Sequence, residues 1–203
     1  MTAVSPPLSS IPQMGGLDDS PRGRVLRAAA HLFRTQGYER TTVRDLAKVV
    51  GIQSGSLFHH FKTKEDILLA VMEEGIRFNL ERMKEAVASG TGPRQQLRNL
   101  IRAELESIMG ETRDAMTVLV YEWGAVSPDK QRELLALRED YEACWMQALA
   151  DARAQGLLDH DPFITRRLLA GAINWTRNWY KPEGPVTLEQ LTDRVLEMAL
   201  GGR

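Results

Sequence analysis

Residues 51–64 read GIQSGSLFHHFKTK. Two serines flank a glycine, two histidines stand between phenylalanines, two lysines close the stretch, and no carboxylate interrupts it. Three chemistries suit such a set: a metal site on the histidines, a catalytic site, or a polar surface for a polyanion. The metal reading is disfavoured by spacing. His59 and His60 are adjacent, so on a helix their rings diverge by about 100° and cannot chelate one ion. No Cys, Asp or Glu stands at ligand spacing, and the other histidines, His31 and His160, are far along the chain. Metal and cofactor sites are therefore not expected. An enzyme is not expected either, because nucleophile-elbow, Walker and HExxH patterns are missing. The GxG at Gly90-Thr91-Gly92 follows a helical stretch and not a strand, which makes it a linker.

Charge favours the polyanion. The 203-residue chain has a formal net charge of −1, with 43% apolar and 26% charged residues. That near-neutrality hides a split. Arg22–Lys64 holds nine Lys or Arg against Glu39 and Asp45, a net +7, while residues 1–21 carry −2 and the remainder −6. A basic N-terminal third on an acidic body is the asymmetry of a protein that meets a polyanion with one part only. The single cysteine, Cys144, excludes an intrachain disulfide, and neither a secretory signal nor an apolar run of membrane-spanning length is evident. A cytoplasmic protein is the expectation.

The elements that must position the opening stretch are helical throughout. Residues 1–20, rich in Pro, Ser and Gly without apolar period, are expected to be a disordered tail. From Pro21 apolar residues recur at helical spacing (Val25, Ala29, Leu32, Phe33) until Gly37. Thr42 caps the next helix with Asp45 as its capping-box partner, and Gly51 ends it. Ser54 is expected to cap a third, short helix over GSLFHHF, anchored by Leu57 and Phe61 on one face. Two short helices joined by a Gly-containing turn have the form of a helix-turn-helix. Beyond it, helices are expected from Lys64 to Ala88, from Pro93 to Gly110, over TRDAMTVLVYEWGAV, from Pro128 to Ala154, over FITRRLLAGAINWTRNWY, and over LEQLTDRVLEMAL. The fold class is all-α, about nine helices: a three-helix unit over 21–63 and a helical body over 64–203.

The run LFRTQGYERTTVRDLAKVVGIQSGSLFHHFKTKEDIL resembles the DNA-binding domain of TetR-family transcriptional regulators. The resemblance is carried by Gly37-Tyr38, Thr41-Thr42, Ala47 to Gly51, the Gly-Ser-Leu of 55–57, Phe61, and Lys62-Thr63-Lys64-Glu65. It implies a homodimer on a palindromic operator of double-stranded DNA, with a small-molecule effector bound in the body. By family position Gln53, Ser56 and His59 face base edges, since Gln can pair with adenine and His can donate to guanine. Ser54 opens the recognition helix, whose N-terminal amides favour phosphate, and Gly55 permits close backbone approach. Thr42 and Lys64 are phosphate candidates, while Arg44 and Lys48, on one side of helix two, could track the backbone or simply be solvated. Phe58 departs from the family, which usually has Tyr there, and keeps only apolar contact. The second histidine, His60, is read as partly packed towards helix one.

In the body, Met109, Met116, Leu119, Val120, Trp123, Tyr141 and Trp145 could line a tunnel for a small hydrophobic effector, with Arg177 supplying charge, or could be plain core. The segment NWTRNWYKPEG looks like family members tied to lipid or acyl-CoA catabolism, which implies an acyl-CoA or lipid-derived effector. Trp175 and Trp179 share a helix face, and the resemblance implies that they, with Leu191 and Val195, join the pairing of the last two helices between subunits. The rival reading is a small-molecule-binding or scaffold protein whose helix-turn-helix no longer reads DNA.

Overall fold

The computed structural model describes residues 6–201. Among these, nine α-helices and three short 3-10 turns account for the regular structure, and there is no strand. The helices form two packed units. The first takes the chain up to Phe78 together with Glu111–Leu137, and the second takes Asn79–Gly110 and the chain from Arg138 onward.

The first unit holds α1 (Pro21–Gln36), α2 (Val43–Val50), α3 (Ser54–Leu57), the first part of α4 (Lys64–Ala88), α6 (Arg113–Tyr121) and the start of α7 (Pro128–Ala154). Its core joins Leu26, Ala29, Leu32 and Phe33 of α1 to Leu46, Leu57, Phe61, Leu68 and Met72, and to Ala115 and Val118 of α6. The regrouping differs from a division after residue 63 because α6 packs directly on α1. Gly75 shows how tightly α4 meets α6: a Cβ added there would lie 2.9 Å from the Ala115 Cβ. The helix-propensity cost of a mid-helix glycine, about 1 kcal/mol, is accepted for that approach.

Helix starts follow the sequence closely. Thr42 accepts from the Asp45 amide at 3.1 Å, and the Asp45 carboxylate accepts from the Thr42 amide at 2.9 Å. Thr63 and Asp66 repeat the reciprocal pair at the start of α4, and Thr187 with Gln190 repeats it at α9 (Leu188–Leu200). Gly51 sits in the left-handed region at φ 77°, which lets its own amide and that of Ile52 both reach the Ala47 carbonyl. Ser54 is a correction: it lies inside α3, and Gln53 occupies the cap position without a side-chain bond.

Three expectations fail for physical reasons. The expected tail does not run free over its described part, because Ile11 and Met14 are buried in the first unit's core; residues 1–5 lie outside the described residues. A Pro/Gly-rich stretch lacks period yet still offers two large apolar side chains, and these dock. Second, α6 stops at Tyr121 and a 3-10 turn covers Trp123–Ala125, where Gly124 and the pre-proline Ser127 disfavour continuation. Third, α8 (Pro162–Trp175) ends before a 3-10 turn at Thr176–Asn178. There Thr176, Arg177 and Asn178 all donate side-chain bonds back to carbonyls of the last turn, competing with the helical ladder.

The second unit packs α5 (Pro93–Met109) against α8 and α9. Leu97, Leu100, Ile101 and Leu105 meet Trp145 and Leu149 of α7, Leu169 and Ile173 of α8, and Leu191 and Leu196 of α9.

In the first unit the connection between α6 and α7 is tied to α4 by charge. Lys130 Nζ donates to Asp66 at 2.5 Å and lies 3.2 Å from Glu65, and Glu65 also accepts the Ser127 amide at 2.7 Å. The Lys130 hydrogen bond holds Asp66 below its usual 3.8, the Ser127 amide holds Glu65 below 4.5, and the Thr42 hydroxyl holds Asp45 below 3.8. A carboxylate depressed in the fold contributes stability that is complete above its unfolded pKa and is lost as pH falls through the folded one. Thermal midpoints should therefore be flat from neutral pH down to about 5 and fall below it. Lys130→Met should lower stability by roughly 1 kcal/mol at pH 7 and by much less at acid pH. An equal loss at both would exclude the ion pairs as its cause.

Candidate nucleic-acid interface

The helix-turn-helix divides its side chains cleanly. Leu46, Ala47 and Val49 of α2, with Leu57 and Phe61, are buried. Thr42, Arg44, Lys48, Gln53, Gly55, Phe58, His59, His60 and Lys62 are exposed, and Ser54, Ser56 and Lys64 are half-buried. Arg44 and Lys48, four residues apart, share one side of α2. Gly55 has open space where a Cβ would stand, so nothing among the described residues requires a glycine there. An external surface approaching the backbone would. The one carboxylate between residues 42 and 64, Asp45, is turned into its cap with Thr42.

Several assignments change in detail. α3 is a single turn of four residues, so its dipole is too short to hold a phosphate by itself. The rest of GSLFHHF continues as turns, with His59 and His60 amides bonded to Ser56 and Leu57 carbonyls. His60 is exposed, with its ring centroid 6.5 Å from that of Phe61; it is not packed. Phe58 is 55% exposed, an apolar ring on an otherwise polar face. The Thr42 hydroxyl donates to Asp45 and accepts the Asp45 amide, so it is engaged in capping. Lys64 donates to the Tyr38 carbonyl at 3.0 Å, with its ammonium 4.0 Å from the Tyr38 ring centroid.

The residues expected to line an effector tunnel are divided between the two units. Met116, Leu119, Val120 and Trp123 belong to the first unit, and Met109, Tyr141, Trp145 and Arg177 to the second. Leu119 is buried while Val120 points outward. Arg177 bonds back to Asn174 through both its Nε and Nη2. Trp145 is fully buried, and the Arg166 guanidinium lies 4.5 Å from its ring centroid.

That arginine centres a cluster which the apolar periodicity did not single out. Arg166 bonds Glu104 at 3.1 Å and Glu142 at 3.0 and 3.1 Å, with its side chain only 3% exposed. Burial pushes the Glu104 carboxyl up, against the pull of Arg166, and pushes the Tyr141 phenol well up, with Glu104 adding to it. The available signal was position: Glu104 falls on the same α5 stripe as Leu97, Leu100, Ile101, Leu105 and Ile108, where a carboxylate requires a partner.

The interface residues also divide. Trp175 is 66% exposed and Trp179 50%, but Leu191 and Val195 are 6% and 7% exposed. The latter two belong to the chain's own core, because that side of α9 packs on α5. The outward apolar positions are Phe163, Ile164, Leu168 and Trp175 of α8 and Met198 of α9.

A three-helix, helix-turn-helix unit with a basic, exposed outer face, followed by an all-helical remainder, defines the class of helix-turn-helix DNA-binding regulators. Residues 25–71 match the family model for bacterial regulatory proteins, tetR family, and residues 90–203 match the tetracyclin repressor-like C-terminal domain. The chain belongs to the TetR family of transcriptional regulators. It is 33% identical over 187 residues to the HTH-type transcriptional repressor KstR2 of Mycolicibacterium smegmatis, covering 90% of each chain. Among solved structures it is similar to the superantigen PfiT, at 51% identity and a TM-score of 0.81 over 91% of this chain and 98% of that one. It is also similar to AibR in complex with isovaleryl coenzyme A and operator DNA, at 25% identity and a TM-score of 0.79 over 88% and 97%. Regulators of this family bind DNA and small-molecule effectors, and among the described residues no helix is long and apolar enough to cross a membrane.

Replacing Arg166 takes the counter-charge from the buried Glu104 and leaves Glu142 only Arg167, at 3.9 Å. Arg166→Met should cost about 3–5 kcal/mol in a urea titration, and Glu104→Gln should cost less because an amide oxygen still accepts from Arg166. A loss below about 1 kcal/mol for Arg166→Met would mean that the cluster is solvated.

Proposed function

We propose that this chain is a ligand-responsive repressor that binds a palindromic operator as a homodimer in the cytoplasm and is released by a small hydrophobic effector. The observation that carries the reading is the outer face of the helix-turn-helix: cationic and polar, held by a buried apolar back, and with the open Gly55 at its centre. Gln53, Ser56 and His59 read base edges, and Arg44 and Lys64 meet phosphates, with Ser54 and Phe58 lining the approach. The isovaleryl coenzyme A held by AibR supports an acyl-CoA as the effector class, in line with the NWTRNWYKPEG segment.

Selection from random duplexes at physiological salt tests the first part. A palindromic winner is expected, with Gln53→Ala changing sequence preference while Arg44→Ala weakens binding to all sequences alike. Weak, uniform, salt-sensitive binding would exclude an operator. Addition of isovaleryl coenzyme A, free coenzyme A and the free fatty acid should separate an acyl-CoA effector from its parts, because only the intact thioester is expected to release the winning duplex.

The dimer would form through the outward stripe of Ile164, Leu168 and Trp175 with Met198, four to seven residues apart along α8 and joined by α9. Leu168→Asp should convert a sedimenting dimer to a monomer with little change in helix content. A wild-type monomer at micromolar concentration would exclude the pairing.

The 51% identity to a chain described as a superantigen favours a second reading, in which the chain has a protein-binding activity apart from DNA. Lymphocyte proliferation in response to the purified chain, measured beside the duplex selection, distinguishes the two.

A further inference from the structure

The Gly37-Tyr38 corner between α1 and α2 is held from three sides. The Tyr38 amide donates to Glu122 Oε1 at 3.0 Å, at the point where α6 ends. The Tyr38 ring packs edge-on against Phe33, with centroids 5.3 Å apart and planes at 72°. Its carbonyl and ring face both meet the Lys64 ammonium, at 3.0 Å and 4.0 Å. A lysine side chain ordinarily keeps several rotamers in play, at a cost in entropy when one is fixed. Here a buried ring, itself clamped by Phe33, fixes it in one. Of the ammonium's three donors the carbonyl takes one, and a neutral ring offers a quadrupole but no counter-charge. The cation is thus aimed and incompletely neutralised, at the first residue of α4 and next to the exposed Lys62 and Thr63.

We infer that Tyr38 is the positioning residue that presents the Lys64 ammonium to a backbone phosphate of DNA, and that Glu122 sets where Tyr38 stands. The inference rests on the DNA-binding reading above and adds to it a route from the end of α6 to a phosphate contact: Glu122 to the Tyr38 amide, the Tyr38 carbonyl and ring to Lys64. A small displacement of Glu122 moves the corner, and with it the cation.

Salt dependence separates positioning from mere support. The full-length protein and its variants are titrated with a mixed-sequence DNA duplex over a range of salt. Each phosphate neutralised contributes about 0.9 to the slope of log affinity on log salt. Lys64→Met should lower that slope by about one and weaken binding roughly tenfold at low salt. Tyr38→Leu and Glu122→Leu should do the same, Tyr38→Phe should keep the wild-type slope, and Glu122→Gln, whose amide oxygen still accepts, should keep most of it. Tyr38→Leu combined with Lys64→Met should lose no more than Lys64→Met alone. Glu122 is part-buried at the surface and outside the apolar core, so its variants test the route even if Tyr38→Leu folds poorly. Variants of Tyr38 and Glu122 that lower the thermal midpoint but leave the slope unchanged would overturn the positioning role while leaving DNA binding intact. A wild-type protein that binds no duplex would overturn the DNA-binding reading and this inference with it.

Discussion

The burial of Leu57 and Phe61 is the constraint on which the DNA-facing surface depends. α3 is one turn long, and one turn of helix has no stability of its own, because nucleation fixes several residues for a single hydrogen bond. What holds residues 54–60 in place is the insertion of these two side chains among Phe33, Leu46 and Leu68. Burying each is worth about 2 kcal/mol, which exceeds any contribution from the turn's own hydrogen bonds. With the apolar side committed inward, Gln53, Ser56, Phe58 and His59 have no choice but to face out. The polar surface is therefore a consequence of the core beneath it.

This explains which parts were legible in the sequence. Apolar period and caps are local signals, and they locate α1, α2, α4, α5, α7 and α9 closely; Thr42 caps as read because a capping box is contained in four residues. The all-α class and the helix-turn-helix follow from the same signals. What period could not show is where a helix yields to something outside it. α6 ends at Tyr121 although the apolar run continues through Trp123 to Val126, and the Glu122 side chain at that break is used by a backbone amide 84 residues earlier in the chain. The buried Arg166 cluster has the same character: Glu104 and Glu142 are separated from their partner by 62 and 24 residues, distances over which a charge pattern along one helix says nothing. Leu191 and Val195 were assigned outward for a related reason. On an amphipathic helix with two apolar sides, sequence does not distinguish the side that meets its own α5 from the side left to solvent.

The two classes of charge in the molecule behave differently. Around Arg166 the groups are buried, and the arginine is required mainly to offset carboxylates that desolvation would otherwise leave uncompensated, so the cluster specifies geometry more than it adds stability. Around Lys130 the partners are partly exposed and the depressed carboxylate pKa values show that the charged forms are favoured in the fold. This second network binds Asp66 and Glu65 at the start of α4 to Ser127 and Lys130 beyond α6.

That arrangement bears on how the helix-turn-helix could respond to an event elsewhere in its unit. An effector shifts an equilibrium only by its difference in affinity between two states, so some element must have two arrangements that differ in DNA affinity. α2 and α3 have too few residues to hold their positions alone, whereas the segment from Glu122 to Lys130 contacts both the corner before α2 and the first turn of α4 through directed hydrogen bonds. Directed bonds depend on angle as well as distance and weaken steeply below about 120°, a directional requirement that apolar contacts do not have. The α6–α7 connection is thus placed where a small displacement has a discrete energetic effect, and the part of the surface that it governs first is the corner that aims Lys64.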